Sequence, residues 1–202
     1  MKIRDSGMPE ESLWETFFNS REILIKLGFT GREGDVVEFG CGYGTFTIPA
    51  ARMTSHTVYA LDVEPEMIEA VRQKIEESAL TNIRLIQRDF AAQGTGLGSE
   101  TAGYAMLFNI LHCEDPLGLL QEAHRLLAPE GKVGVIHWNY DLRTPRGPEM
   151  SIRPQLQQCR QWLRQSGFQL VIPFVDLPPY HYGLVGQKKL RSDSNSMGGE
   201  ND

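Results

Sequence analysis

Val36-Val37-Glu38-Phe39-Gly40-Cys41-Gly42-Tyr43-Gly44 is the stretch that decides the fold. A short apolar run ends in three glycines at alternate positions, and a helical pattern from about Thr45 through Met53 follows at once. Glycine lets the backbone turn tightly and come close to a ligand, and a helix N-terminus offers unpaired N–H groups to negative charge. Strand, glycine turn and helix in this order point to a nucleotide-like cofactor at the carboxyl edge of an α/β sheet.

The surroundings agree. Thr57–Leu61, Ile83–Ile86, Tyr104–Phe108 and Lys132–His137 are further short apolar runs that read as strands, mostly buried on both faces. Between them apolar residues recur with helical period: Met67, Ile68, Val71 and Ile75; Leu119, Leu120, Ala123 and Leu127; Leu156, Cys159 and Leu163. Ahead of the first strand, Leu13, Trp14, Phe17 and Phe18 predict one amino-terminal helix. Pro9, Pro65, Pro116 and Pro154 precede these four patterns, and proline at a helix start loses no hydrogen bond. Alternating strands and helices predict an α/β fold with a largely parallel sheet and helices on both faces. After Gly167, a predicted helix cap, Phe168–Ile172 and Tyr182–Val185 flank Pro178-Pro179 and suit a closing antiparallel pair. Ala91–Ser99 holds three glycines in five positions and reads as a flexible connection.

Spacing sharpens the glycine turn. Asp62 stands 22 residues after Gly40, directly behind the second strand, where a carboxylate can accept ribose hydroxyls. Arg88-Asp89-Phe90 follows the third strand, and Asn109-Ile110-Leu111-His112 closes the fourth. Every one of these groups falls at the carboxyl end of a predicted strand.

At this point the chain resembles the class I S-adenosylmethionine-dependent methyltransferases, in particular the small-molecule, type 11 group that includes quinone-biosynthesis enzymes. The likeness runs from about Asp35 to Gln187. It implies a Rossmann-like three-layer sandwich with a seven-stranded, mostly parallel sheet of order 3214576 and an antiparallel last strand. It also implies 35–189 as the methyltransferase domain and residues 1–34 as an amino-terminal cap helix, either a lid over the cofactor or docked as core; residues 190–202, polar and glycine-rich, read as a disordered tail. Glu38, Gly40, Cys41, Gly42 and Gly44 would cradle the methionine part of S-adenosyl-L-methionine, and Asp62 would hold its ribose. Val63 and Met67 would pack near the adenine, with Asp89 and Phe90 recognising its amino group and ring. Asn109 would lie beside the methionine and the methyl group, S-adenosyl-L-homocysteine being the product. Ala123–Val133 looks like the family's helix, Pro-x-Gly turn and fifth strand. Gly103-Tyr104 departs from the family, many members of which carry an acidic residue before strand four.

Composition narrows the function. The 202 residues suit one domain, 41% are hydrophobic, and no apolar run approaches the roughly 20 residues of a membrane span. No apolar signal-peptide core stands at the start, and Cys41, Cys113 and Cys159 fit neither a disulfide framework nor a four-ligand zinc site. A cytoplasmic protein without a metal is expected. The net charge of −6 argues against a broad nucleic-acid-binding face. Asn109-Ile110-Leu111-His112 also lacks the Asn-Pro-Pro-Tyr/Phe pattern of base and glutamine methylation. A nicotinamide reductase would need a Gly-x-Gly-x-x-Gly fingerprint and a Tyr-x-x-x-Lys pair that this chain does not have. The expected activity is methyl transfer to a small molecule by a monomer or homodimer. Protein or RNA acceptors, and a cofactor-binding protein without turnover, are the alternatives. His112 suits a general base and equally a structural histidine at a helix entrance. Arg143, Arg146 and Arg153 follow strand five and suit either an anionic acceptor or a solvated loop.

Overall fold

The computed structural model describes residues 9–190, and within them the chain alternates as its periodicities require. Its elements are α1 (Glu11–Glu15), α2 (Ser20–Lys26), β1 (Val36–Phe39), α3 (Thr47–Met53), β2 (Val58–Asp62), α4 (Pro65–Ser78), β3 (Ile83–Gln87), α5 (Phe90–Gln93), β4 (Ala102–Phe108), α6 (Pro116–Leu126), β5 (Leu127–Trp138), α7 (Leu156–Gln165), β6 (Phe168–Leu177) and β7 (His181–Lys188). The sheet order is β3-β2-β1-β4-β5-β7-β6. β1 to β5 run parallel to one another, and β7 is antiparallel to both β5 and β6. The expected order and antiparallel strand are therefore present.

Two apolar layers hold the sheet. On one face Val36, Ala60, Met106 and Ile136 pack with Leu24 and Leu27 of α2, Ala50 of α3 and Val71 of α4. On the other, Val37, Leu61, Leu107 and Val135 pack with Leu120 of α6 and Leu163 of α7. Full burial of one such leucine contributes about 1.5–3 kcal/mol. β1 and β4 are buried throughout, but β3 and β6 are half exposed, because they are the sheet's edges and have a neighbouring strand on one side only.

Two local readings need correcting. The single amino-terminal helix is two short ones, because Asn19 starts a second by accepting the Glu22 N–H with its side chain. Ala91–Ser99 is fastened rather than loose: Thr95 donates its N–H and hydroxyl to Glu122, and Arg125 reaches the Leu97 carbonyl and the Ser99 hydroxyl. The departure at Gly103 has a steric cause, since a Cβ there would lie 1.7 Å from the Glu33 carbonyl oxygen. Apart from Leu190, the expected tail at 190–202 lies outside the described residues.

Candidate functional site

The carboxyl edge of the sheet gathers the chemistry. Gly40, Gly42 and Gly44 have φ of 75°, 51° and 77°, values that a side chain makes costly. The Gly40 and Cys41 N–H groups both donate to the Leu61 carbonyl at 2.9 Å, and Gly44 N–H donates to the Cys41 carbonyl at 2.9 Å. A Cβ on Gly40 would come 2.9 Å from Ile110 Cδ1 and 4.0 Å from Phe90 Cζ. The turn thus touches the segments that follow β3 and β4.

Carboxylates flank the turn from beneath and beside. Glu38 is buried on β1, and its Oε2 accepts a short hydrogen bond from the Thr47 hydroxyl at the start of α3. Burial pushes its pKa up to about 8, opposed by the Thr47 bond and assisted by the nearby charge of Asp62. Asp62 ends β2 and accepts the Gly42 N–H at 2.9 Å and the Glu64 N–H at 3.0 Å, while its own burial raises its pKa. Cys41 is buried in the same environment, which pushes its thiol far up and leaves it unreactive at neutral pH. Val63 follows Asp62 and Met67 lies in the first turn of α4, both half buried.

Asp89 caps α5 by accepting the Ala92 N–H at 3.0 Å, and Phe90 is buried edge-on against Phe39 with ring centroids 5.6 Å apart. Asn109 occupies the left-handed region with φ 55°, and its N–H donates to the Ile136 carbonyl at 2.8 Å. Its amide oxygen and nitrogen are both buried and find no hydrogen-bond partner among the described residues. Buried amides are satisfied in nearly all native structures, so this pair marks a place for something else.

These positions fit a cofactor of adenosine type. A carboxylate offers about four acceptor sites. Asp62 accepts backbone N–H groups from Gly42, Glu64 and Val63, which leaves acceptor capacity for a ribose hydroxyl. The orphaned Asn109 amide offers a donor and an acceptor at the neighbouring strand end.

His112 is buried in the turn after β4, its ring 5.6 Å from and edge-on to His137. His137, at the end of β5, accepts the Trp138 N–H at Nδ1, which fixes the proton on Nε2. Burial first, then the neighbouring His112, His181 and Arg153, drives its pKa well down. Adjacent residues on a strand face opposite sides. His137 therefore joins His112 and Tyr182 on the side of α6 and α7, whereas Trp138 joins His181 and Trp14 of α1 on the other. The sequence reading had not singled out His137, Trp138 or His181 for the site, although polar and aromatic residues at strand ends on this edge were the available signal.

The three arginines do not gather. Arg153 is buried and donates to the carbonyls of Pro148, Asn139, Asp141 and Arg146, which makes it the organiser of its loop. Arg143 is exposed and pairs with Asp141 at 2.6 Å. Among the described residues no group of three or more His, Cys, Asp or Glu side chains is arranged to hold a metal ion, and no helix is long and apolar enough to cross a membrane.

Residues 36–131 match the family described as a methyltransferase domain. That match covers just under half of the chain, and over this part the chain is similar to methyltransferases. A demethylmenaquinone methyltransferase of Geobacillus sp. (strain WCH70) is 31% identical over 96 residues, which are 46% of this chain and 40% of that protein. The chain spans less than half the length of the curated relatives that it matches. A crystal structure of a SAM-dependent methyltransferase from Aquifex aeolicus superposes with a TM-score of 0.77 at 22% identity, over 88% of this chain and 93% of that one. The magnesium protoporphyrin IX methyltransferase of Synechocystis PCC 6803, solved with bound SAM, gives 0.66 at 18% identity over 87% and 80%. The two structural likenesses concern the fold.

Proposed function

We propose that this protein transfers a methyl group from S-adenosylmethionine to a small-molecule acceptor. The observation that carries the reading is the junction of Asp62 with Gly42, beside the orphaned Asn109 amide, on one sheet edge. The small acceptor is supported by the acidic balance and by relatives named for acceptors of that size.

The cofactor supplies an electrophilic methyl group on a sulfonium centre, whose sulfur keeps the bonding electron pair when the methyl leaves. Asp62 holds the ribose side, and the glycine turn lets the backbone approach the methionine side. Val63 and Met67 would pack near the adenine, with Asp89 and Phe90 recognising its amino group and ring. Glu38 steadies the turn from beneath through Thr47. Asn109 orients the reacting groups, and positioning of this kind can supply much of the rate. His112 is the candidate to take the acceptor's proton. The chain acts in the cytoplasm as a monomer or homodimer, without a metal. Arg153 spends its N–H groups within the loop, whereas Arg143 sits in an exposed pair with Asp141.

Calorimetry with S-adenosylhomocysteine tests the donor half. Micromolar binding is expected, and no heat at millimolar ligand with folded protein defeats the reading. Transfer of a labelled methyl group to members of an acceptor panel tests the other half. If the product binds and no member is methylated, the protein binds the cofactor without turnover.

A further inference from the structure

His181 and Trp138 face each other across the antiparallel β5–β7 pair, ring centroids 4.2 Å apart, and both are fully buried. Both ring nitrogens of His181 and the indole nitrogen of Trp138 find no hydrogen-bond partner among the described residues. Three polar atoms left this way in one spot of a packed interior are costly unless something pairs with them. The walls around them are aromatic. Trp14 stands edge-on to His181 at 6.4 Å, Phe18 lies 4.6 Å from it, and Phe17 and Tyr180 close the Trp138 side. Tyr43 of the glycine turn packs against the same cluster, which sets it beside the cofactor-binding turn.

We propose that Trp138 and His181 are the acceptor-recognition pair, and that the acceptor is a neutral planar aromatic ring bearing a hydroxyl or carbonyl oxygen. This rests on the methyl-transfer reading. An indole N–H only donates, and a neutral imidazole donates once and accepts once, so together they suit an oxygen that accepts from one side and donates on the other. His181 is held neutral, its pKa lowered to about 3 by burial and by Arg153. Arg153 lies 6.0 Å from the Trp138 ring and spends its N–H groups on loop carbonyls, so it has few donors left to pair with a carboxylate. These rings pack against one another, and a flat ring that took the place of one of them would meet the rest in the same offset or edge-on arrangement. In the present packing Trp14 and Phe17 fill this space. The ring therefore enters by displacing Trp14 of α1 and Phe17 of the segment that follows it.

The test uses the full chain, labelled with ¹⁵N in its histidine and tryptophan rings, titrated with 1-naphthol, naphthalene and 1-naphthoate in the presence of S-adenosylhomocysteine. The expected result is a saturable shift of the Trp138 indole and His181 imidazole signals with 1-naphthol, at an affinity at least fivefold above that of naphthalene. Trp138→Phe keeps a ring and removes the N–H, and His181→Phe removes both ring nitrogens. Each is expected to weaken 1-naphthol at least tenfold with cofactor-product affinity unchanged. The proposal is overturned if those signals stay still at saturating 1-naphthol, if 1-naphthoate binds more tightly, or if both folded variants bind 1-naphthol as the parent does. Should a variant not fold, the spectra of the parent chain decide. Loss of S-adenosylhomocysteine binding would instead count against the methyl-donor reading, and the same titration of the free chain would still decide the pocket.

Discussion

The carboxylate of Asp62 accepts the backbone N–H of Gly42 at 2.9 Å, so the end of β2 is fastened to the glycine turn that leaves β1. One side chain thereby shapes the turn and presents its remaining lone pairs to the space above it.

Replacing it should cost affinity more than fold. A hydrogen bond to a charged group contributes about 1.5–3 kcal/mol, or roughly tenfold or more in binding. Asp62→Ala is expected to weaken S-adenosylhomocysteine by at least about tenfold, and Asp62→Asn by less, because an amide oxygen can still accept the Gly42 N–H. Calorimetry on both variants decides, and unchanged affinity in folded Asp62→Ala would refute the role.

Glu38 sets a pH dependence of stability. Its folded-state pKa is raised to about 8 from 4.5, so between those values the folded chain binds more protons than the unfolded one. Stability from this group is fully present below 4.5 and is lost as pH rises through 8, at a slope of up to about 1.4 kcal/mol per pH unit. Asp62, also raised, acts with the same sign. Urea titrations from pH 5 to 9 should show Glu38→Gln with a shallower decline than the parent. Identical slopes would mean that Glu38 is charged in the folded state.

The arginines separate by burial. Arg153→Ala strips hydrogen bonds from four loop carbonyls and should destabilise the chain by about 2–4 kcal/mol, with faster proteolysis between residues 139 and 153. Arg143→Ala, on an exposed pair, should leave the denaturation midpoint in place. Equal effects from the two would contradict this assignment.

Asn109 should divide backbone from chemistry. With φ at 55°, Asn109→Val is expected to lose about 1–2 kcal/mol, while Asn109→Gly keeps the fold and loses the amide. Thermal unfolding should rank them in that order. Methyl transfer by Asn109→Gly should fall by at least about tenfold if the amide orients the reacting groups, and parental turnover would remove Asn109 from the site.

Much of this molecule follows from its chain order. Alternating apolar periods, prolines at helix starts and glycines at alternate positions after β1 act over a few residues, so Val36–Gly44, Asp62 and Asn109 could be placed on the sheet edge from sequence. The resemblance then implied the strand order that the structure has. Burial at the edges was misjudged because period says nothing about how many neighbours a strand acquires. The fixed Ala91–Ser99 connection depends on Glu122 and Arg125, some thirty residues away, and no local pattern announces that pairing.

The tertiary structure alone decided which polar groups lack partners. Trp138 and His181 are separated by 43 positions in the chain and meet only because β7 returns antiparallel to β5. Arg153, a basic residue in sequence, is turned into loop scaffolding by the carbonyls that surround it. The sequence by itself determined that the glycine turn and Asp62 stand at the carboxyl edge of the sheet, because the patterns that place them are short and local. What faces that edge was settled by long-range packing, which brings together side chains that no spacing rule connects.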